Sequence, residues 1–478
     1  MSDKSAAEVE PVSLIQILDD AEFTKNHRNI WALSSMGILL DGFDLFVLSV
    51  ALPLISLVFH ASPLETGLVA SAATLGAIIG AVGGGYLTDR FGRQKILMID
   101  LAVFIIFALL SGLSWSIETL FLFRFILGIG VGADYPICAS YIAEFMPKKI
   151  RGKMLIGAFS FQAVGIFLAA AVGLGILWIY PNENSWRLML MVGSIPALII
   201  LILRRRVPES ARWCLKEGEN ERAAKIICKT IQNIPHLVAD CLKKITNLSV
   251  QKCEISRPEP KPGIRVLFSP QYRKRTILTT VPWFLMDVVF YGIGLFTPII
   301  LASIAFAQED TSMITSDFAS SAGTAFLDIF LIFGFLLNIA LIERMGRMRL
   351  QVIGFFGMAF GLIMLVIATT MNDPIALVLA GFAIYNLLMN MGPNATTFII
   401  PAELFPTELR GTAHGFAAGV AKLGAALGIV LVPVLKAAIG LTMTLIVLFV
   451  LILIAVLVTM LFKVETTGFS LEDLAELG

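Results

Sequence analysis

Asp89-Arg90-Phe91-Gly92-Arg93 returns later in the chain as Glu343-Arg344-Met345-Gly346-Arg347. A second pair of motifs lies at nearly the same spacing: Glu144-Phe145-Met146-Pro147 followed by Arg151-Gly152, and Glu403-Leu404-Phe405-Pro406 followed by Arg410-Gly411. Two matched pairs at almost one offset are the mark of an internal duplication. Each motif is a charged connection between long apolar runs, so the duplicated unit is a set of membrane-crossing segments.

Composition agrees. Hydrophobic residues make up 57% of the 478 residues and charged residues 15%, with a mean hydropathy of +0.85. Soluble domains carry about a quarter charged residues, so the chain reads as an all-α membrane protein. A crossing needs about 20 apolar residues, and twelve such runs are centred near residues 45, 76, 104, 132, 165, 196, 290, 329, 360, 388, 422 and 451. The expected organisation is a tail (1–28), a six-helix half (29–205), a linker with short helices (206–273), a second six-helix half (274–463) and a tail (464–478). With 36 basic and 35 acidic residues, nothing points to a nucleic-acid partner.

The first 29 residues lack a basic stretch leading into a short apolar core, so no cleaved signal peptide is expected. The connections after spans two, four, eight and ten carry Arg90, Arg93, Lys95, Lys148, Lys149, Arg151, Lys153, Arg344, Arg347, Arg349 and Arg410, whereas the opposite connections carry essentially Arg187. This bias puts both termini in the cytosol, in a plasma membrane or bacterial inner membrane. The linker is then cytosolic too, with helices expected from Asn220 to Ile231 and from His236 to Leu248 before the prolines Pro258, Pro260 and Pro262. Four of the five cysteines, Cys214, Cys228, Cys241 and Cys253, fall there and should be reduced thiols with no CxxC pair for zinc.

Substrate information has to come from polar residues at membrane depth. Trp283, Asp287 and Tyr291 are spaced i, i+4, i+8, which puts an indole, an acid and a phenol on one helical stripe. The others are Asp41 and Asp44 in span one, Asp134 and Tyr135 in span four, Gln162 in span five, Asp328 and Asn338 in span eight, Asn386, Asn390 and Asn394 in span ten, and Lys422 in span eleven. Lys422 reads as the only deep cation, and Arg124 as a snorkelling side chain outside the site.

The loop Gly85-Tyr86-Leu87-Thr88-Asp89-Arg90-Phe91-Gly92-Arg93-Gln94-Lys95, with Pro208-Glu209-Ser210-Ala211-Arg212-Trp213 and Glu465-Thr466-Thr467-Gly468, resembles the signatures of the major facilitator superfamily. Within it, Asp41-Gly42-Phe43-Asp44, Gly132-Ala133-Asp134-Tyr135-Pro136, the span-seven stripe, Gly392-Pro393-Asn394 and Thr412-Ala413-His414-Gly415 followed by Lys422 resemble the phosphate:proton symporter branch, with Ala133 where a second glycine is usual. The resemblance implies a secondary transporter importing inorganic phosphate by alternating access. It also implies phosphate contacts from Tyr135, Gln162, Trp283, Asp287, Tyr291, Asn394 and Lys422, and proton handling by Asp41, Asp44 and Asp134.

Asp89, Arg93, Glu144, Arg151, Glu403 and Arg410 read as gating or structural groups at helix ends. The donor set of indole, phenols, amides and ammonium suits an oxyanion. A carboxylate beside it fits a substrate that keeps a proton to donate. An organic or aromatic acid symporter stays open as the alternative, and then a sugar symporter, although span seven has no Gln-Gln pair. A non-transporting nutrient receptor fits least well among these. Hydrolase, metalloprotease and P-loop motifs are all missing, so no enzyme, metal or cofactor is expected. His414 reads as a structural hydrogen bond, and the expected assembly is a monomer.

Overall fold

The computed structural model describes residues 14–231, 264–294, 297, 301, 313–371, 375–405 and 407–466, and no β-strand occurs among them. Six long helices precede the linker: α1 Lys25–Phe59, α2 Pro63–Phe91, α3 Arg93–Gly112, α4 Ile117–Phe145, α5 Arg151–Ile179 and α6 Ser185–Arg204. Beyond the linker come α7 Arg273–Gly294, α8 Met313–Met345, α9 Arg347–Thr370 and α10 Ile375–Leu404. The last apolar helix, Thr407–Phe462, is divided at Gly440 (φ 81°, ψ 166°) into two arms, α11 and α12. The twelve expected crossings are therefore present.

Local chemistry sets the helix ends. Thr24 caps α1 and Ser62 caps α2, each in a reciprocal capping box with the third helical residue, His27 or Glu65. Pro63 follows Ser62 at the first helical position, where its missing N–H costs nothing. Interior breaks are equally specific. α5 bends at Ser160, between Arg151–Phe159 and Phe161–Ile179, and α10 breaks at Gly392 (φ −124°, ψ −103°) before Pro393 restarts it. Gln162 and Asn394 stand immediately beyond these breaks.

The duplication read from the sequence has a tertiary counterpart. Gly92 (φ 94°) turns α2 into α3, and Gly346 (φ 86°) turns α8 into α9 in the same left-handed region. A side chain at either glycine would also collide with a carboxylate. At Gly92 a Cβ would lie 2.4 Å from Glu209, and at Gly346 2.7 Å from Glu465. Glu209 accepts from the backbone N–H of Arg93 (2.8 Å) and Gln94 (3.1 Å), and Glu465 from those of Arg347 (3.0 Å) and Met348 (3.2 Å). Each carboxylate satisfies two orphan amides at a helix N-terminus, where the dipole favours negative charge.

Small residues let helices approach within each half. Gly76, Gly80 and Gly84 of α2 lie against the α4 backbone at Phe125, Ile129 and Ala133, and Gly128 and Gly132 of α4 against Ala73 and Ala77. Between the halves, α2 packs on α11 and α5 on α8. Trp115 and Trp178 are exposed at the helix ends, as interfacial aromatic residues are.

The N-terminal helix Leu14–Asp19 and the linker helices lie on one face, the terminal face, and helix direction alternates between it and the opposite, far face. Asp19 pairs with Arg151 and, at 2.6 Å, with Arg212. The linker helix Asn220–Ile231 forms as expected, and a shorter one, Ala211–Lys216, precedes it. Residues 236–248 and the proline stretch lie outside the described residues. Cys214 and Cys228 are buried, and burial pushes the Cys214 thiol up to about 11. Cys241 and Cys253 lie outside the described residues.

Candidate functional site

At the middle of the bundle, side chains from α4, α5, α7 and α11 meet. Gln162 donates through Nε2 to the Tyr135 hydroxyl at 2.7 Å and also approaches the Tyr291 hydroxyl at 3.4 Å. Lys422 donates to Tyr291 at 3.0 Å, with its ammonium 4.4 Å above the Tyr135 ring and 4.9 Å from that of Tyr291. Both phenols thus accept a hydrogen bond, leaving their own O–H groups to donate. Asp287 has Lys422, Asp41 and Trp283 as its electrostatic neighbours. Tyr135, Gln162, Trp283, Asp287, Tyr291, Asn394 and Lys422 are all buried. Asn394 is a further step away, donating to Asn390 at 2.7 Å.

Aromatic rings close the site at both ends. Toward the terminal face Phe159 stacks on Phe398 (centroids 4.4 Å apart) and meets Phe335 edge-on at 5.7 Å. Toward the far face Phe46 packs on Phe290 and Tyr291. The chain is therefore seen with the central site occluded.

Beside the site, in the first half, lies a small cavity of about 20 Å³, room for about one water, lined by Asp41, Asp100, Asp134, Gly37, Phe104 and Val131 among others. Neither carboxylate oxygen of Asp41 has a hydrogen-bond partner, and Tyr135 and Lys422 are among the groups acting on it. Asp41 is thus the link between the cavity and the central site. Asp134 pairs with Arg204 at 3.1 Å and takes a contact from the Cys138 thiol at 3.2 Å. A Cβ at Gly37 would lie 1.8 Å from Asp134, so the pair exists only because α1 carries a glycine there.

Several expectations need correcting. Arg124 does not snorkel: it is fully buried and pairs with Asp44 at 2.7 Å, so Asp44 is a paired acid. Nor is Lys422 the only deep cation, since Arg124 and Arg204 are buried too. Both arginines face acids inside the first half, which offsets the desolvation that an unpaired charge would suffer. Lys422 differs in facing the junction of the halves with no ion pair among the described residues. Asp100 was missed altogether. A single acid in an apolar run of span three gives a signal only once α1 and α4 are packed around it. Arg204 opens the run Arg204-Arg205-Arg206, whose other two members are exposed, and nothing local in the sequence marks it as the buried one.

The gating candidates divide. Arg93 pairs with Glu144 (3.0 Å), to which Ser210 also donates; Arg347 pairs with Glu403 (3.0 Å), to which Thr466 donates. The counterparts Glu209, Ser210, Arg347, Glu465 and Thr466 stand in the motifs quoted from the sequence, where they are not named as gating groups. Arg151 meets Asp19 of the N-terminal helix. The side chains of Asp89 and Arg410 lie outside those the structure describes. Of the other polar residues, Asn338 donates to the Met391 carbonyl (2.6 Å), Asn386 to that of Leu327 (3.2 Å) and Asn390 to that of Asn386 (3.1 Å), all helix-packing contacts. His414 makes the structural bond expected of it, Nε2 to the Phe398 carbonyl at 3.0 Å, with Trp283 and Phe398 around its ring.

Comparison with known proteins matches residues 31–477 to the family described as sugar (and other) transporter. Among curated relatives, low affinity inorganic phosphate transporter 3 of Petunia hybrida is 30% identical over 86% of this chain and 83% of that one. Inorganic phosphate transporter 1-1 of Arabidopsis thaliana is 30% identical over 86% and 85%. Among solved structures, the proton:xylose symporter XylE bound to 6-bromo-6-deoxy-D-glucose superposes with a TM-score of 0.77 at 24% identity, over 95% of this chain and 100% of that one. A partially occluded inward-open form of XylE from E. coli gives 0.77 at 23%, over 94% and 100%. A single family match over nearly the whole length, with twelve apolar helices in two duplicated halves, leaves one assignment: the chain belongs to the sugar (and other) transporter family and has the major facilitator fold.

Proposed function

We propose that this protein is a proton-coupled importer of inorganic phosphate, working by alternating access of its two halves, residues 29–205 and 274–463, with residues 1–28, 206–273 and 464–478 on the cytosolic side. The observation that carries the reading is the central donor set: two phenols already accepting, an amide and an unpaired ammonium, buried together at the junction of the halves. Such a set is built to receive an oxyanion, and Lys422 supplies the charge. The relatives that bear inorganic phosphate in their names support the same substrate.

Coupling follows from charge. Lys422 stands among Asp41, Asp287 and Tyr291, so an arriving anion adds negative charge to a site that already holds two carboxylates and one ammonium. At low dielectric that addition is expensive unless a proton enters with it. Asp41, unpartnered and beside Tyr135, is the group that can take the proton, with Asp100 and Asp134 behind it across the cavity. Asp287 accepts the P–OH of a protonated phosphate. Asp44, tied to Arg124, acts on the far side of Asp41 in the same set. Asn394 and Trp283 complete the lining. At the cytosolic face the clusters around Arg93–Glu144 and Arg347–Glu403, together with Asp89, Arg151 and Arg410, hold the closed state of that side. The transporter acts as a monomer.

The test is phosphate uptake into proteoliposomes with and without an inward proton gradient. Accumulation above equilibrium only with the gradient is expected. Accumulation that ignores the gradient removes the coupling, and uptake of a carboxylic acid in place of phosphate reassigns the substrate.

A further inference from the structure

One ionisable group at membrane depth is used by none of the chemistry above. Asp328 lies in α8 and is 5% exposed, and among the described residues it makes neither a hydrogen bond nor an ion pair. Its direction is fixed by its neighbours on the helix. Phe335 of the same helix meets Phe159 of α5 across the junction of the halves, and seven residues on a helix of 3.6 per turn come back to within about 20° of the same direction. Asp328 therefore faces the α5–α8 seam, about 10 Å from Phe335 along α8 toward the far face. Phe335 belongs to the aromatic closure on the terminal side of the central site, so Asp328 stands on the far side of that closure, where the halves separate when the site opens outward.

The groups that could balance a charge there are few. Among the described residues, α8 packs against α1, α5, α9 and α10. The second arm of α5 has no ionisable residue, α10 offers Tyr385 and, at its terminal end, Glu403, and α1 offers Asp41 and Asp44; the basic residues of α1, α5 and α9 are at their terminal ends. None of them acts on Asp328. An ionised Asp328 would thus present uncompensated negative charge to any anion approaching Lys422 from outside, whereas the neutral acid would present a donor.

We propose that Asp328 is a proton-binding gate for the substrate: a proton binds it first, and only then is the anion admitted to the central site. The proposal rests on the phosphate-import reading and on the far face being external. It makes proton-then-anion the binding order, and it separates admission of the anion from the transmembrane coupling assigned to Asp41.

At an effective dielectric of about 20, an ionised carboxylate at a separation on the order of 10 Å weakens anion binding on the order of tenfold. The experiment is phosphate uptake into proteoliposomes at external pH from about 5 to about 8, with KM expressed per concentration of the monoanion so that the substrate's own titration is removed. Wild type should show KM rising by about tenfold with pH. Asp328→Asn and Asp328→Ser should each lose this component of about tenfold, keeping at most the shallower pH dependence that the Asp41 proton imposes, with the maximal rate within about twofold, and either folded variant suffices; Asp328→Glu should restore the full rise. A wild-type rise in both neutral variants, or a flat KM in wild type, overturns the gate and leaves phosphate import standing. Absence of phosphate uptake by wild type at every pH removes the import reading itself, and the gate with it.

Discussion

The Lys422 ammonium is held by the Tyr291 hydroxyl at 3.0 Å and by no carboxylate. The two fully buried arginines of the first half each have an acid partner: Arg124 has Asp44 and Arg204 has Asp134. Lys422 instead sits where the two halves meet. A cation at that junction without a carboxylate partner is available to an incoming anion, and its desolvation is recovered when the anion binds.

Lys422→Gln should therefore weaken phosphate binding while the protein still folds and inserts, because the tyrosine retains a hydrogen-bond partner. Loss of a buried charge-assisted contact costs about 2–5 kcal/mol, so a reduction in affinity of at least thirtyfold or so is expected. Calorimetric titration of the purified variant checks it. Unchanged affinity would take Lys422 out of the site.

Asp41→Asn should abolish gradient-driven accumulation more completely than exchange of labelled for unlabelled phosphate at equal pH. Exchange moves no net proton, so a group that only carries one is dispensable there. Parallel loss of both activities would mean that Asp41 binds substrate or holds α1 in place.

Asp287 should decide between oxyanions of similar shape. Near neutral pH phosphate and arsenate keep a proton to donate and sulfate does not, so an acceptor in the site rejects sulfate far more strongly than size could. Competition binding should find arsenate effective and excess sulfate weak in the wild type, with the gap narrowing in Asp287→Asn. Equal competition by both in the wild type would move the organic-acid alternative to first place.

Arg124→Leu should be severely destabilising, since it leaves Asp44 charged and buried; breaking such a pair costs roughly 3–5 kcal/mol. Removing both charges together, Arg124→Leu with Asp44→Leu, should recover most of the thermal stability while leaving phosphate transport impaired. A double variant no more stable than the single one would show that the pair does not set stability through its charges.

Glu209→Ala and Glu465→Ala should have matching effects, because each carboxylate caps the helix after its glycine turn and lies beside an arginine–glutamate pair. Both should shift the population toward the state open on the terminal face. Accessibility of single cysteines introduced on that face, probed with a membrane-impermeant maleimide, measures the shift. An effect of only one of the two would deny the functional equivalence of the halves.

Sequence alone determined the twelve crossings, the duplication and most of the central site, for physical reasons that act locally. Apolar length defines a crossing, and glycine with charge at matched positions defines a repeated turn. Polar residues such as Trp283, Asp287, Tyr291 and Lys422 are conspicuous in an apolar run because hydrocarbon tolerates them only with a purpose. Only the tertiary structure decided which acid each charge faces. Arg124 reads as a snorkeller until α1 supplies Asp44, Arg204 carries no signal until α4 supplies Asp134, and Asp100 has none until three helices line a cavity with it. Glu209 and Glu465 lie more than 100 residues along the chain from the amides they cap. Pairing of this kind is a matter of distance in space at low dielectric, and no local pattern along the chain encodes it.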